Sequence, residues 1–183
     1  MGNFVFSRTG IDGVYLIDTR IFGDERGYFQ ETYKETDFRD AGLDYRFVQD
    51  NQSRSRRGVL RGLHYQREYP QAKLVRVTEG EVFDVAVDIR KCSPTFGKWV
   101  GAVLSETNRR QIMIPGGFAH GFLVLSEYAT LCYKCDEVYH PEDEAGIRWD
   151  DPEIGIEWPF TDGLILSEKD KKHPSLKDSG VGN

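Results

Sequence analysis

Lys73-Leu-Val-Arg-Val-Thr-Glu-Gly-Glu-Val-Phe-Asp-Val-Ala-Val-Asp-Ile89 decides the fold class. Two β-rich runs, residues 73–77 and 82–89, flank Glu79-Gly80-Glu81. A tight glycine turn between β-branched runs reads as two joined strands. In the second run Phe83, Val85, Val87 and Ile89 alternate with Asp84, Ala86 and Asp88, the two-residue period of a half-buried strand. The same punctuation continues outward. Cys92-Ser-Pro-Thr-Phe-Gly97 precedes Lys98-Trp-Val-Gly-Ala-Val-Leu104, and Glu106-Thr-Asn-Arg109 precedes Gln111-Ile-Met-Ile114. Gly23-Asp-Glu-Arg-Gly27 parts an apolar run, residues 14–22, from Tyr28-Phe-Gln-Glu-Thr-Tyr33. Short strands spaced by such turns predict an all-β sandwich or barrel. A helix is expected over residues 37–42, capped by Thr36 and stopped by Gly42, and a helical turn over residues 167–171. Residues 136–157 hold nine acids and one base, which reads as an exposed, loop-rich surface segment. No repeat or linker interrupts the chain, so a single domain over residues 1–183 is expected.

Composition narrows the function. The 183 residues carry 30 acids and 24 bases, a net charge of -6. That balance argues against general nucleic-acid binding and against docking on anionic membranes. No apolar run approaches the ~18 residues of a spanning helix. The start, Met1-Gly-Asn-Phe-Val-Phe-Ser-Arg, lacks a signal-peptide pattern. Three cysteines do not make a disulfide framework, and a cytoplasmic location is expected. The charge is uneven. Residues 53–76 carry seven bases and one acid, a local +6, so the rest of the chain carries -12. One diphosphate held by a few aimed donors is compatible with that island.

Four stretches could carry chemistry. Val59-Leu-Arg-Gly-Leu-His-Tyr-Gln66 places His64 in a strand-like run, and Ile114-Pro-Gly-Gly-Phe-Ala-His-Gly-Phe122 places His120 after a turn. Gln49-Asp-Asn-Gln-Ser53 puts amides inside a strand pattern, where they cost stability unless bonded. Gly23-Asp-Glu-Arg-Gly-Tyr-Phe-Gln-Glu31 is a turn flanked by Arg26 and Glu31. Each also has a bland reading as a structural histidine, a plain turn or a surface charge. Cys132-Tyr-Lys-Cys135 reads as structural, because positions three apart on a strand face opposite ways.

Pro115-Gly-Gly-Phe-Ala-His-Gly-Phe122 resembles the second motif of the cupin superfamily, whose members are jelly-roll barrels with the ligand inside. Many cupins bind metal through a first-motif His-x-His and a Glu. Here that position reads His64-Tyr-Gln66, with Lys73 near the place of the carboxylate. A cation there opposes a divalent metal, so neither a metal nor a cofactor is expected. Across most of its length the chain resembles the dTDP-4-dehydrorhamnose 3,5-epimerase family. The strings are Asp24-Glu-Arg-Gly-Tyr-Phe-Gln-Glu31, Phe47-Val-Gln-Asp-Asn51, Gly58-Val-Leu-Arg-Gly-Leu-His-Tyr-Gln66, Lys73-Leu-Val-Arg76, Phe83-Asp-Val-Ala-Val-Asp88 and the His120 motif. Tyr133-Lys-Cys135, Trp149-Asp-Asp-Pro152, Ile156-Glu-Trp-Pro159 and Leu166-Ser-Glu-Lys-Asp170 extend them.

The resemblance implies a cupin-type jelly roll that inverts C3 and C5 of dTDP-4-dehydro-6-deoxy-D-glucose beside the C4 ketone. It implies His64 as base with Asp170 as its carboxylate, Tyr133 as proton donor and Lys73 at the enolate oxygen. Arg61 matches a diphosphate-binding arginine. Arg26, Glu31, Gln49, Asp50, Asn51, His120, Glu144 and Lys169 match nucleotide- and sugar-binding positions. A homodimer is implied, with an N-terminal strand crossing the interface and the Arg26 turn reaching the partner's site. Strand alternation agrees for two residues: Tyr133 shares a face with Leu131 and Cys135, and Lys73 with Val75 and Val77. Arg61 and His64, three apart, share a face only if Gly62 carries a bulge. The rivals are a single-carbon epimerase of the same family, a metal-dependent cupin and a non-catalytic nucleotide-sugar binder.

Overall fold

Short β-branched and aromatic runs, each ended by a turn, build thirteen strands among residues 2–181, the part of the chain that the computed structural model describes. In order they are β1 (Phe4–Arg8), β2 (Tyr15–Thr19), β3 (Ile21–Asp24), β4 (Gly27–Gln30), β5 (Gln49–Arg56), β6 (Leu60–Gln66) and β7 (Lys73–Glu79). β8 (Glu81–Asp88), β9 (Trp99–Ser105), β10 (Gln111–Ile114), β11 (Phe118–Val124), β12 (Tyr128–Cys135) and β13 (Glu144–Gly146) follow. One sheet runs β1-β2-β10-β7-β12-β5 and the other β13-β6-β11-β8-β9, with antiparallel neighbours. β3 and β4 form a separate hairpin. Two facing antiparallel sheets with crossovers are the cupin-like jelly roll expected from the sequence.

Three apolar layers hold the sheets. Val75, Val77, Ile112, Ile114 and Leu131 of the first sheet meet Val82, Ala86, Phe122 and Val124 of the second. The outer face of the first sheet is covered by Phe38, Leu43, Tyr45 and Phe47, which pack on Leu74 and Met113. The outer face of the second is covered by Ile147, Ile154, Trp158 and Leu176, which pack on Leu63, Val85 and Val87. Both sheets are therefore buried on both faces over their centres.

That layering corrects two expectations. β8 is not half-buried: Asp84 and Asp88 are as fully buried as Val85 and Val87. The apolar side chains point to the outer cover, and the aspartates share the inward face with Val82 and Ala86. Residues 136–157 are loop-rich but not simply exposed, since they supply β13 and bury Ala145, Ile147, Asp151 and Ile154. Their acids hold backbone donors. Asp136 Oδ1 accepts from the Ala72 N–H at 2.6 Å, Asp143 from Glu68 and Tyr69, and Asp151 from Ile154 and Leu176.

The helix α1 spans Glu35–Asp40, starting two residues before the expected range. Lys34 occupies the cap position without a side-chain bond, and Thr36 lies inside the first turn. Burial decided its placement. Phe38 is sealed against Phe4, Phe6 and Tyr33, worth roughly 1.5–3 kcal/mol, more than a typical cap. A single 3-10 turn, Asp170–Lys172, lies where the second helical turn was expected.

Asp88 ties the loop after β8. Its carboxylate accepts from Arg90 Nη2 at 2.7 Å, Ser93 Oγ at 2.6 Å and Thr95 Oγ1 at 2.6 Å. Burial pushes its pKa up, but these bonds outweigh burial and pull it down to about 2. A depressed carboxylate pKa stabilises the fold above the unfolded value and loses that contribution as the group is protonated. Here the window runs from about pH 4 down to about pH 2, and the linked free energy is about 2 kcal/mol. Asp88→Asn is expected to lower stability by about 2 kcal/mol at pH 7, with the gap from wild type closing between pH 4 and pH 2. Urea unfolding across that range checks it, and a gap independent of pH would refute it.

Candidate active site

Side chains alternate along a strand, so Arg61 and His64 belong on opposite faces unless a residue is inserted between them. One is inserted. His120 of β11 pairs with His64 and Phe122 pairs with Arg61, so two steps on β11 match three on β6. Gly62, with φ +115°, sits in the extra step. A Cβ there would lie 2.6 Å from both the His120 carbonyl oxygen and Gly121 Cα, so no other residue fits. Leu63 and Tyr65 thus join the outer cover. Arg61 turns toward the facing sheet, donating from Nε and Nη2 to Ser55 Oγ at 3.2 and 3.0 Å.

His64 turns into a cavity of about 270 Å³ between the sheets. Gln49, Asn51, Lys73 and Tyr133 line it from the first sheet, and His64, Gln66 and Glu144 from the second. Register explains the grouping. Tyr133 pairs with Asn51 on one side and Val75 on the other, and Lys73 lies opposite Cys135. His64 and Tyr133 therefore face each other from different sheets.

His64 Nε2 bonds Asp170 Oδ1 at 2.6 Å across 106 residues of chain. That bond occupies Nε2 and leaves Nδ1 to take a proton. Burial raises the pKa of Asp170, but the hydrogen bond with His64 and its charge prevail and hold it below the usual carboxylate value. Burial raises the Tyr133 phenol, with Glu144 adding to the shift, so the phenol stays protonated. Burial lowers the Lys73 ammonium, opposed by the negative charges of Asp84 and Glu144. A desolvated ammonium is a strong partner for a developing oxyanion.

His64, Asp170 and His173 are the described residues whose potential metal-ligand atoms cluster, all within 4.8 Å. Tetrahedral ligands at ~2.0–2.1 Å from a metal lie ~3.3 Å apart. The 2.6 Å separation of His64 and Asp170 has the spacing of a hydrogen bond instead.

Other expected residues divide. Gln49, Asn51 and Glu144 are on the wall, and Lys169 forms an ion pair with Glu144. Arg61 acts on Tyr133 by its charge from nearby. His120 does not line the cavity. Its buried ring bonds both oxygens of buried Asp84, at 3.0 and 2.9 Å. Asp50 points the opposite way from Gln49 and Asn51 and pairs with Lys134 at 2.6 Å. Glu31 accepts from Asn3 Nδ2 at 2.9 Å. Arg26 lies on the β3–β4 turn, paired with Asp24 and 85% exposed, outside the cavity of its own chain.

Sequence reading missed Tyr139, Gln71 and His173. The amides carry the missing signal for Tyr139. Gln49 Oε1 accepts from the Tyr139 N–H at 2.8 Å, Gln66 holds the carbonyls of Tyr69 and Val138 and the His140 N–H, and Gln71 Nε2 donates to the Glu137 carbonyl. Two strand-end glutamines and one from the loop before β7, all aimed at one loop, fix Tyr139 at the rim, where its hydroxyl donates to Glu144 at 2.6 Å. That bond pushes the Tyr139 pKa to about 12.

A family model described as dTDP-4-dehydrorhamnose 3,5-epimerase matches residues 8–178. A protein of that name from Methanothermobacter thermautotrophicus is 57% identical over 183 residues, covering 99% of each chain. One from Pseudomonas aeruginosa is 56% identical, covering 94% of this chain and 96% of its own. The crystal structure of dTDP-6-deoxy-D-glucose-3,5-epimerase from Legionella pneumophila, in complex with dTDP-4-keto-L-rhamnose, matches with a TM-score of 0.93 and 52% identity over 95% of this chain and 93% of that one. A match over nearly the whole chain, on a fold whose cavity holds a histidine–carboxylate pair opposite a tyrosine, means that the chain belongs to the dTDP-4-dehydrorhamnose 3,5-epimerase family.

Proposed function

We propose that the protein inverts C3 and C5 of dTDP-4-dehydro-6-deoxy-D-glucose to give dTDP-4-dehydro-L-rhamnose. The observation that carries the reading is His64, backed by Asp170, facing Tyr133 across one cavity with Lys73 on its wall. Both target carbons flank the C4 ketone, so each C–H bond is acidified by enolate formation. His64 Nδ1 takes the proton, and the electron pair moves to the C4 oxygen beside Lys73. Tyr133 returns a proton from the opposite face and inverts the carbon. His64 then gives its proton to solvent and Tyr133 takes one back from it, and the second centre repeats the cycle. Protons balance, and no electron leaves the substrate.

Gln49, Asn51, Glu144 and Lys169 are placed to orient the sugar nucleotide, and Arg61 the diphosphate. His120 acts through its strand pairing with His64. Asp50, turned outward, drops from this reading. The exposed aromatic hairpin with Phe22, Tyr28 and Phe29 supports a homodimer in which Arg26 serves the other copy's cavity. Free Cys92, Cys132 and Cys135 fit a reducing cytoplasm. No helix among the described residues is long and apolar enough to cross a membrane.

In deuterated water the substrate is expected to gain deuterium at both C3 and C5, read by NMR or mass spectrometry. Exchange at neither carbon overturns the reading, and exchange at one carbon selects a single-site epimerase. His64→Ala should slow exchange by roughly 10²–10⁴-fold while calorimetric affinity for dTDP stays near wild type. Lost dTDP binding would make His64 structural. Tyr133→Phe should hinder inversion more than initial proton loss, so substrate exchange outlives product formation. Equal loss of both would remove the donor role.

A further inference from the structure

Asp170 lies between two imidazoles. Its Oδ1 lies 2.6 Å from His64 Nε2 and 3.4 Å from His173 Nε2. The Asp170 side chain is 4% exposed and that of His173 8%. The two rings meet edge to face, 5.5 Å between centroids and 78° between planes. His173 Nε2 is sealed from solvent and makes no hydrogen bond among the described residues. A buried ring nitrogen without a partner is costly, and Asp170 Oδ1 is the acceptor beside it.

The seat of this ring is built into the sheet. Gly146 of β13 pairs with His64 of β6. A Cβ on Gly146 would lie 2.4 Å from both Cε1 and Nε2 of His173. Its φ is not among the positive ones, so conformation does not require glycine there. The space is taken by the His173 ring.

We propose that His173 is a positioning residue, a neutral donor that shares the Asp170 carboxylate with His64 and tempers how strongly that carboxylate holds a proton on His64. The proposal rests on His64 being the base. The charged groups facing the trio are Glu144 on β13 and Lys169 on the preceding turn, which pair with each other. Ser167 Oγ accepts from the Asp170 N–H at 3.0 Å. Burial, then the charge of His64, lowers the His173 pKa, so the ring donates without placing a second cation beside the imidazolium. Without this donor Asp170 pulls harder on the His64 proton.

Two variants and one spectrum test this. His173→Phe keeps the ring volume and removes the donor. It should move the acidic limb of the kcat/KM profile up by about 0.5–1 pH unit. His173→Gln, which restores an N–H, should hold the limb near wild type. In the wild-type protein, two-bond 1H–15N spectra should show His173 neutral and protonated on Nε2 across about pH 6–8. An Nδ1-protonated His173 would overturn the proposal. So would a His173→Phe limb at the wild-type pH with activity lowered equally throughout, the mark of a structural role. The spectrum needs no turnover and no variant. It therefore decides the proposal even if His173→Phe does not fold, and apart from the isotope exchange that tests the epimerase reading.

Discussion

The inserted residue at Gly62 is the constraint on which the site depends. In a sheet of strict period two, His64 would share a face with Gly62 and Gln66 but not with Arg61. With the bulge, Arg61 and His64 both turn inward while Leu63 and Tyr65 turn to the outer cover. A one-residue slip instead would turn Leu63 and Tyr65 toward the cavity and put His64 outside. The bulge reconciles two features of one strand: an apolar outer face that must be covered, and an inner face that carries His64 and Arg61. It is anchored by a backbone approach so close that a methyl group cannot enter.

Several polar side chains of the cavity wall and of the buried loops are used to place loops. Gln49, Gln66 and Gln71 fix the segment that carries Tyr139. Asp88 fastens the loop after β8, and Asp151 fastens two stretches of backbone at once. An unpaired buried amide or carboxylate costs more than a made bond returns. Such groups therefore select one loop arrangement sharply, even where each bond adds little net stability. The rim of the cavity is ordered by this selection rather than by its own secondary structure.

The strands were legible in the sequence because turn residues and β-branched runs are local signals. β7 and β8 follow from residues 73–89 alone, and the Gly62 bulge follows from asking two residues three apart to share a face. What local pattern does not carry is which face is covered. The alternation of β8 is real, but its apolar side looks outward, because loops and the chain end supply a second cover that no short window reveals. Asp84 and Asp88 read as solvent-facing for the same reason. The start of α1 eluded capping logic because Phe38 was placed by tertiary burial. The chemistry of His64, Lys73, Tyr133 and Asp170 came from resemblance. Physics then supplied what resemblance did not, which is that Asp50 faces away and pairs with Lys134.

The chain end couples folding to chemistry. Residues beyond β13 form little regular structure, yet they are pinned along the second sheet. The Ile165 N–H donates to the Gly58 carbonyl at 2.8 Å, Leu60 donates back at 3.1 Å, and the Arg148 N–H reaches the Pro174 carbonyl at 2.9 Å. Leu176 packs into the outer layer while its N–H donates to Asp151. Between these anchors lie Asp170 and His173. A segment held at both sides of the Asp170 carboxylate positions it without a long helix or a strand to do so, since docking the apolar ends fixes the polar middle. Local opening of that cover would expose apolar surface and, in the same step, withdraw Asp170 from His64. The same burial that stabilises the outer face of β8 thus also holds Asp170 at 2.6 Å from His64.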